Sequence, residues 1–368
     1  MRNERKKIRL GFIGTGMMGK SHIRVIKERF NTIAEVSAIC DTNSRELKQA
    51  NEMAPEAKPF SKWQDILNES LDGVIISTPI FTHAEISISA LQAGIHVLCE
   101  KAIATTKEDC FKMVTEAEKS TKILMIGHEN RYSPYYAKFK EILSSGIIGT
   151  PYLVWFKEAR GRFHHKIDNW IQDKTRSGGA LVDKTCHHFD LMNWYLGRKP
   201  SAVAAFGGTD VIKVLKTPNE IEDNAVVIVD YEKKARGTLS LCMFAPTYFP
   251  KSLEFGVFGD KGFMGGMESG IDISQNEIIV IQREKPEEVM EINRIFTCMK
   301  TANDAITFFV TPPKDGSMHN GFIEEHIAFL DVIKTGKKPL TEVKECLYGT
   351  LITLAAEESM QTNKVVKL

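Results

Sequence analysis

Ile8-Arg9-Leu10-Gly11-Phe12-Ile13-Gly14-Thr15-Gly16-Met17-Met18-Gly19 is the stretch that decides the fold. Its first half is a short apolar run of the kind that forms a buried strand, and its second half is a Gly-x-Gly-x-x-Gly that opens a helix expected from about Met17 to Arg29. In such a turn the first glycine permits the tight bend and the second lets backbone approach a pyrophosphate. The third allows close packing of helix on strand, and the helix N-terminus supplies amide donors and partial positive charge. A second strand, Glu35 to Cys40, ends at Asp41, roughly 20 residues past the glycines, where an acid that reads a ribose belongs. A structural turn with a helix-capping aspartate is the blander alternative. Strand, glycines, helix, strand and acid in that order favour a dinucleotide. Asp41 would accept hydrogen bonds from the adenosine ribose and repel a 2′-phosphate, which favours NAD, while the guanidinium of Arg45 keeps NADP open.

Outward from this point the pattern repeats. Gly73–Ser77, Ile95–Cys99 and Lys122–Ile126 read as further strands, with helices near Ser44–Met53, His83–Ala93 and Lys107–Lys119 between them. Strands separated by helical stretches need crossover connections, so residues 1–128 are expected to form a Rossmann-type, doubly wound parallel sheet. After about Asn130 the pattern changes. A helix near Tyr135–Ser144 leads into Tyr152–Phe156, then an Arg- and His-rich loop from Arg160 to Arg176, then a helix that follows Gly178-Gly179 and ends near Leu196. Successive strands with tight turns follow (Ala225–Tyr231, Gly237–Phe244, Leu253–Phe258, Ile278–Gln282), and helices near Ile323–Thr335 and Lys344–Gln361 close the chain. Residues 129–368 are therefore expected to be an α+β domain with a mainly antiparallel sheet flanked by helices.

The bulk numbers agree with two cores. The chain has 368 residues, 43% apolar and 26% charged, more than one hydrophobic core usually serves. Lys plus Arg total 48 against 47 for Asp plus Glu, a balance that points to neither nucleic acid nor an anionic membrane as partner. The seven cysteines (Cys40, Cys99, Cys110, Cys186, Cys242, Cys298, Cys346) lie scattered with no Cys-x-x-Cys, which reads as reduced thiols. The charged start, Met1 to Lys7, runs directly into a strand, and no apolar run reaches membrane-spanning length. A cytoplasmic location is the expectation.

Several further segments line up with one family. Ser77-Thr78-Pro79 with His83, then His96-Val97-Leu98-Cys99-Glu100-Lys101, resembles the Gfo/Idh/MocA family of sugar and inositol oxidoreductases. So do Gly127-His128-Glu129-Asn130-Arg131-Tyr132, the run from Gly178-Gly179-Ala180-Leu181 through Asp183 to His187, and Phe255-Gly256-Val257-Phe258-Gly259-Asp260-Lys261-Gly262. The resemblance extends from about Ile8 to the C-terminus, with the motifs in matching order. It implies hydride exchange between a secondary alcohol carbon and C4 of a nicotinamide, with acid/base residues at Lys101, Asp183 and His187. One departure is Ala102, which stands where the family has a proline that is commonly cis; a cis bond is disfavoured before any other residue.

The chemistry can be read against these residues directly. Oxidising an alcohol removes a hydroxyl proton as hydride leaves the same carbon, so a base must lie within hydrogen-bond reach of that hydroxyl. Asp183 and His187, spaced i, i+4, share one helix face. His187 is the expected general base, Asp183 a carboxylate that orients the hydroxyl, and Lys101 a donor to the reacting oxygen. Without the surrounding motifs, a solvated lysine at a strand end and a surface Asp–His pair would be the better reading. Asp190 could orient His187 from i+3, or could be structural; Lys184 and His188 lie off that face and read as structural, as does Arg131.

The expected cofactor contacts are Gly14, Gly16, Met17, Met18, Gly19, Asp41, Thr78, Pro79, His83, Glu100, Lys101 and Asn130. Sugars need many directional donors and an aromatic platform. The loop holding Arg160, Arg162, His164, His165, Trp170 and Lys174 is accordingly the candidate for substrate recognition, with Arg160 and Trp170 joining Lys101, Asp183 and His187. No carboxylate spacing makes His164-His165 a metal site, and none is expected. The leading function is NAD-dependent oxidation of a sugar, glycoside or inositol hydroxyl. A glycosidase that retains NAD and cleaves by oxidation and elimination, and a non-catalytic NAD-binding regulator, are the alternatives. A homo-oligomer, dimer or tetramer, is expected because the family's second sheet commonly leaves one face free.

Overall fold

The computed structural model describes residues 7–163, 166–215, 219–246, 252–269, 276–282, 298–300, 305–310 and 321–368. The chain forms two compact units: Met1–His128 with Arg176–Gly178 and Ile323–Leu347, and Glu129–Thr175 with Gly179–Phe322 and Tyr348–Leu368.

In the first unit, β1 (Ile8–Ile13), β2 (Ala34–Cys40), β3 (Lys58–Phe60), β4 (Gly73–Ile76), β5 (His96–Glu100) and β6 (Leu124–Gly127) form one sheet in the order β3-β2-β1-β4-β5-β6. Every pair is parallel. The central strands are near-continuous apolar runs because helices cover both faces of such a sheet; β4 is buried at all its positions. The crossovers are α1 (Met17–Arg29), α2 (Ser44–Met53), the short α3 (Trp63–Ile66), α4 (His83–Gln92) and α5 (Lys107–Lys119). Asn43 caps α2 by accepting from the amides of Arg45 and Glu46, and Thr106 caps α5 through Asp109.

The second unit opens with α6 (Pro134–Ser144), β7 (Pro151–Ala159) and α7 (Lys174–Ser177), followed by a π turn at Leu181–Thr185 that runs into α8 (Cys186–Leu196). Its sheet adds β8 (Pro200–Gly208), β9 (Asn224–Tyr231), β10 (Ala235–Cys242), β11 (Ser252–Gly259), β12 (Gly262–Ser269), β13 (Asn276–Gln282), β14 (Cys298–Lys300) and β15 (Ala305–Val310). After α9 (Phe322–Thr335) and α10 (Val343–Thr362), β16 (Val366–Lys367) completes the order β14-β15-β13-β12-β11-β7-β10-β9-β8-β16. Only β7 and β10 run parallel; all other pairs are antiparallel. On β9, Ala225, Val227, Val229 and Tyr231 point into a core that also holds Phe139, Phe156, Phe189, Tyr195 and Phe255.

A division at residue 128 leaves Arg176–Gly178 and Ile323–Leu347 in the second domain, whereas the structure places both segments in the first unit. The reason is packing: Gly73 on β4 has no side chain where Ile333 and Phe329 of α9 lie, and an added Cβ would be 2.7 Å from Ile333 Cδ1. That apolar contact draws the distant helix onto the parallel sheet.

Candidate active site

The glycine turn shows a distinct constraint at each of its three positions. Gly14 has φ +86°, and a Cβ there would lie 2.7 Å from the Ser77 carbonyl. A Cβ on Gly19 would collide with the Gly14 carbonyl oxygen, so helix and strand pack this closely only with glycine. A Cβ on Gly16 would meet nothing within 4 Å; this is the point where backbone is open to a ligand. Gly16 begins α1 with no side-chain cap and no acid in the first turn, so its amides are available to an anion. Met17 beside it is 51% exposed, and Met18 is half-buried. Asp41 is held against this turn: Oδ2 accepts from the Thr15 amide at 2.7 Å and Oδ1 from the Asn43 amide at 2.8 Å. An uncapped helix start, a glycine cradle and a fixed carboxylate at the end of β2 fit the pyrophosphate and ribose of NAD.

Farther along the sheet, Thr78 and Pro79 enter a short turn at Ile80–Thr82, and Thr82 donates to Thr78 Oγ1 at 2.7 Å. His83 is fully buried, with Nδ1 2.8 Å from the Ala102 carbonyl and Nε2 2.9 Å from the Thr78 carbonyl. Burial holds its pKa below the ordinary imidazole value against the pull of those two carbonyls. Any effect of His83 on a cofactor therefore runs through the loop it anchors. Glu100 and Lys101 lie at the exit of β5. Glu100 Oε1 is 3.0 Å from His22 Nε2, and His22 Nδ1 is 2.9 Å from His326 Nε2. Glu100 Oε2 accepts from the Lys101 amide at 3.3 Å. The Lys101–Ala102 peptide is cis despite the absence of proline.

In the second unit, Asp183 and His187 lie on one continuous helical run, Asp183 within the π turn and His187 in the first turn of α8. Both are buried, at 8% and 7% exposure, which removes the reading of a solvated surface pair. Single π turns inside helices are frequent at functional sites. His187 Nδ1 lies 3.8 Å from Glu129 Oε2, a neighbour that spacing does not suggest. Asn130, next to Glu129, sits half-buried in the turn Glu129–Tyr132. Asp190 is otherwise engaged: it takes two hydrogen bonds of 2.7 Å from Arg131 Nε and Nη2, both side chains being buried. This pairing fits a structural reading of both Asp190 and Arg131.

Lys184 and His188, off the Asp183–His187 face, converge instead on Glu158 of β7, at 3.3 and 3.0 Å, with Arg160 at 3.5 Å. Burial by itself would raise the Glu158 carboxyl; Lys184, His188 and Arg160 together outweigh it and hold it well below the usual carboxylate range. Arg160 also lies over the Phe163 ring at 5.4 Å. Trp170 is half-buried against the second core, just after Asp168 and Asn169, which adopt φ of 53° and 50°, a left-handed conformation these two residue types tolerate best. Lys174 is not a free sugar donor, since it pairs with buried Glu222. His164 and His165 lie outside the described residues. Sequence reasoning missed Glu129, Glu158 and His326, because each acquires its partner only through the fold.

Comparison with known proteins places this geometry. Residues 8–128 match the family described as "Oxidoreductase family, NAD-binding Rossmann fold", and residues 140–368 match its "C-terminal alpha/beta domain". The chain is similar to the myo-inositol 2-dehydrogenase of Thermotoga maritima, 25% identical over 98% of both chains. It is also similar to the inositol 2-dehydrogenase of Salmonella typhimurium, 31% identical over 54% of this chain and 57% of that one. Among solved structures, an oxidoreductase domain protein from Kribbella flavida superposes with a TM-score of 0.83 at 22% identity, over 99% of each chain. With both family domains matched in order across nearly its whole length, the chain belongs to the Gfo/Idh/MocA family of NAD-binding oxidoreductases.

Proposed function

We propose that this oxidoreductase transfers a hydride between NAD and a secondary hydroxyl of an inositol or a closely related sugar, with Lys101, Asp183 and His187 as its acid/base residues. The observation that carries the reading is the burial of Asp183, in the π turn, and His187, in the first turn of α8; burying ionisable side chains is costly, and such groups cluster at functional sites. The named inositol dehydrogenases among the relatives support the substrate class. NAD, when bound, supplies hydride chemistry at C4 of its nicotinamide. His187 takes the hydroxyl proton, Asp183 accepts a hydrogen bond that orients the hydroxyl, and Lys101 donates to the oxygen as carbonyl character develops. Arg160 and Trp170 are the proposed sugar contacts. The fixed carboxylate of Asp41 favours NAD over NADP.

Two further parts of the reading concern the whole protein. The outer face of the second sheet carries Phe206, Val226 and Ile228, at 73%, 53% and 51% exposure, with Phe206 and Val226 directly paired across β8 and β9. An apolar patch of this kind suits a second copy of the chain, and we propose a homo-oligomer built on it. Cys40, Cys99, Cys110 and Cys242 stand outside any disulfide, which fits the expected cytoplasmic location; among the described residues, no helix is long and apolar enough to cross a membrane. The test is formation of NADH from NAD with a panel of inositols, aldoses and glycosides. The His187→Asn and Lys101→Met variants should each lower kcat by about 100- to 10,000-fold. Turnover unchanged by both substitutions would overturn the assignment.

A further inference from the structure

A second group of ionisable side chains lies at the start of the helix that carries Asp183 and His187. Glu222, just before β9, and Glu357, on α10, are both buried, at 3% and 6% exposure. Their carboxyls face each other. The backbone between them is the entry to the π turn. The Ala180 amide donates to Glu222 Oε2 at 3.3 Å, and the Leu181 amide faces Glu357. No side chain within the run caps it. Two glycines with positive φ, Gly178 at +81° and Gly179 at +107°, bring the chain to this point, and a Cβ on Gly179 would lie 2.6 Å from Glu357 Cδ. The charged groups facing Glu357 are Glu222 and Lys174, with Lys174 paired to Glu222. Asp223, the next residue, is turned instead to the amides of Asp210, Val211 and Ile212.

We propose that Glu222 and Glu357, sharing one proton, are positioning residues that cap the opening amides of the π turn and so set the placement of Asp183 and His187. The proposal rests on the reading of that pair as acid/base residues. The opening N–H groups of a helix have no partner of their own, and a remote carboxylate satisfies them while matching the positive end of the helix dipole. Lys174 balances one negative charge. Among the described residues, a second negative charge in the same buried space meets no further cation, so one carboxyl keeps its proton. Burial, and next the charge of Glu222, raise Glu357 well above the carboxylate range. The folded chain thus holds a proton that the unfolded chain releases at lower pH. Stability from this group is fully present below the unfolded pKa and is lost as pH rises through the folded one. Loss of the shared proton should loosen the Gly178–Thr185 entry before the rest of the unit.

Amide hydrogen exchange across pH, beside pH profiles of kcat, tests this with wild type, Glu357→Gln and Glu222→Gln. Glutamine keeps the hydrogen-bonding shape and removes the titration. In wild type, protection of residues 180–187 should fall by about tenfold at alkaline pH, beyond the intrinsic rise in exchange. In Glu357→Gln it should stay level, with the alkaline limb of kcat moved to higher pH and KM for NAD within about twofold. Identical pH dependence of protection in wild type and Glu357→Gln overturns the proposal even if polyol turnover is present. Protection that follows the pair, with no turnover on any polyol, upholds the cap and refutes the dehydrogenase reading instead. Should Glu357→Gln fail to fold, wild-type infrared spectra decide. A protonated carboxylic acid band that disappears together with that protection supports the shared proton, and its absence at neutral pH overturns it.

Discussion

Replacing Asp190 by Asn separates a structural ion pair from a catalytic one. Asp190 receives two 2.7 Å hydrogen bonds from Arg131, with side chains 2% and 5% exposed. Asparagine keeps the volume but takes the Asp190 charge away from the buried guanidinium, a change worth about 3–5 kcal/mol. At about 2–4 °C per kcal/mol for a unit of this size, the melting transition should fall by roughly 6–20 °C. The Arg131 guanidinium lies 5.8 Å from the Trp194 ring, so tryptophan fluorescence in a thermal or urea melt follows this part of the second unit. The loss should persist at high salt, because a buried pair is poorly screened. The double variant Arg131→Met, Asp190→Leu should recover most of it, since both members of the ion pair are then removed together. Below the transition, the pH dependence of kcat in Asp190→Asn should match wild type. A drop under about 2 °C, together with a shifted pH limb, would refute this and return Asp190 to the role of orienting His187.

Other outcomes follow from single contacts. Gly19→Ala drives a methyl group into the Gly14 carbonyl, so NAD affinity measured by calorimetry should fall at least about tenfold, with about 1–3 kcal/mol of overpacking strain; unchanged affinity would show that the turn yields freely. Asp41→Ser removes the charge that repels a 2′-phosphate, and the ratio of kcat/KM for NADP to that for NAD should rise by about tenfold or more; an unchanged ratio would assign cofactor choice elsewhere. Burial, then Lys122, lower the His96 pKa to about 4, against a weaker opposing pull from Asp72. The unfolded chain therefore binds the extra proton first: stability held above the ordinary histidine pKa is lost as pH falls toward about 4. His96→Gln should flatten urea-melt stability across that interval, and an unchanged slope would place its origin in other groups.

What could be read from residues alone follows the range of the forces involved. The parallel sheet was legible because its strands are buried on both faces, and α1, α2 and α5 span the very residues expected of them. β3 and α3 escaped notice because Lys58–Phe60 is largely exposed and Trp63–Ile66 spans a single turn. β8 is built from small residues and shows little alternation. Apolar period also cannot distinguish one π turn from an α-helix, so Asp183 and His187 were placed on a common face without the insertion between them being visible. Long-range partners were invisible for a different reason. Arg131 meets Asp190 across 59 residues and His22 meets His326 across 304, distances at which no local pattern constrains a pair.

This division bears on how the site works. Of the groups proposed for chemistry, Asp183 and His187 follow Gly178-Gly179, where the backbone adopts conformations that few residues allow, and Lys101 stands at the exit of an apolar strand, so the sequence carries a signal for each. The groups that surround them are drawn from other elements: Glu100 and His22 beside the Lys101 amide, Glu129 near His187, Glu222 and Glu357 under Gly179. Charge and proton occupancy in such surroundings depend on burial and on partners brought together by folding. Replacing one of these three residues should therefore lower turnover over the whole pH range. Replacing one of its surrounding carboxyls by the matching amide should leave turnover in place and move its pH limits, and variants of the two kinds that produced the same pH profile would remove the distinction.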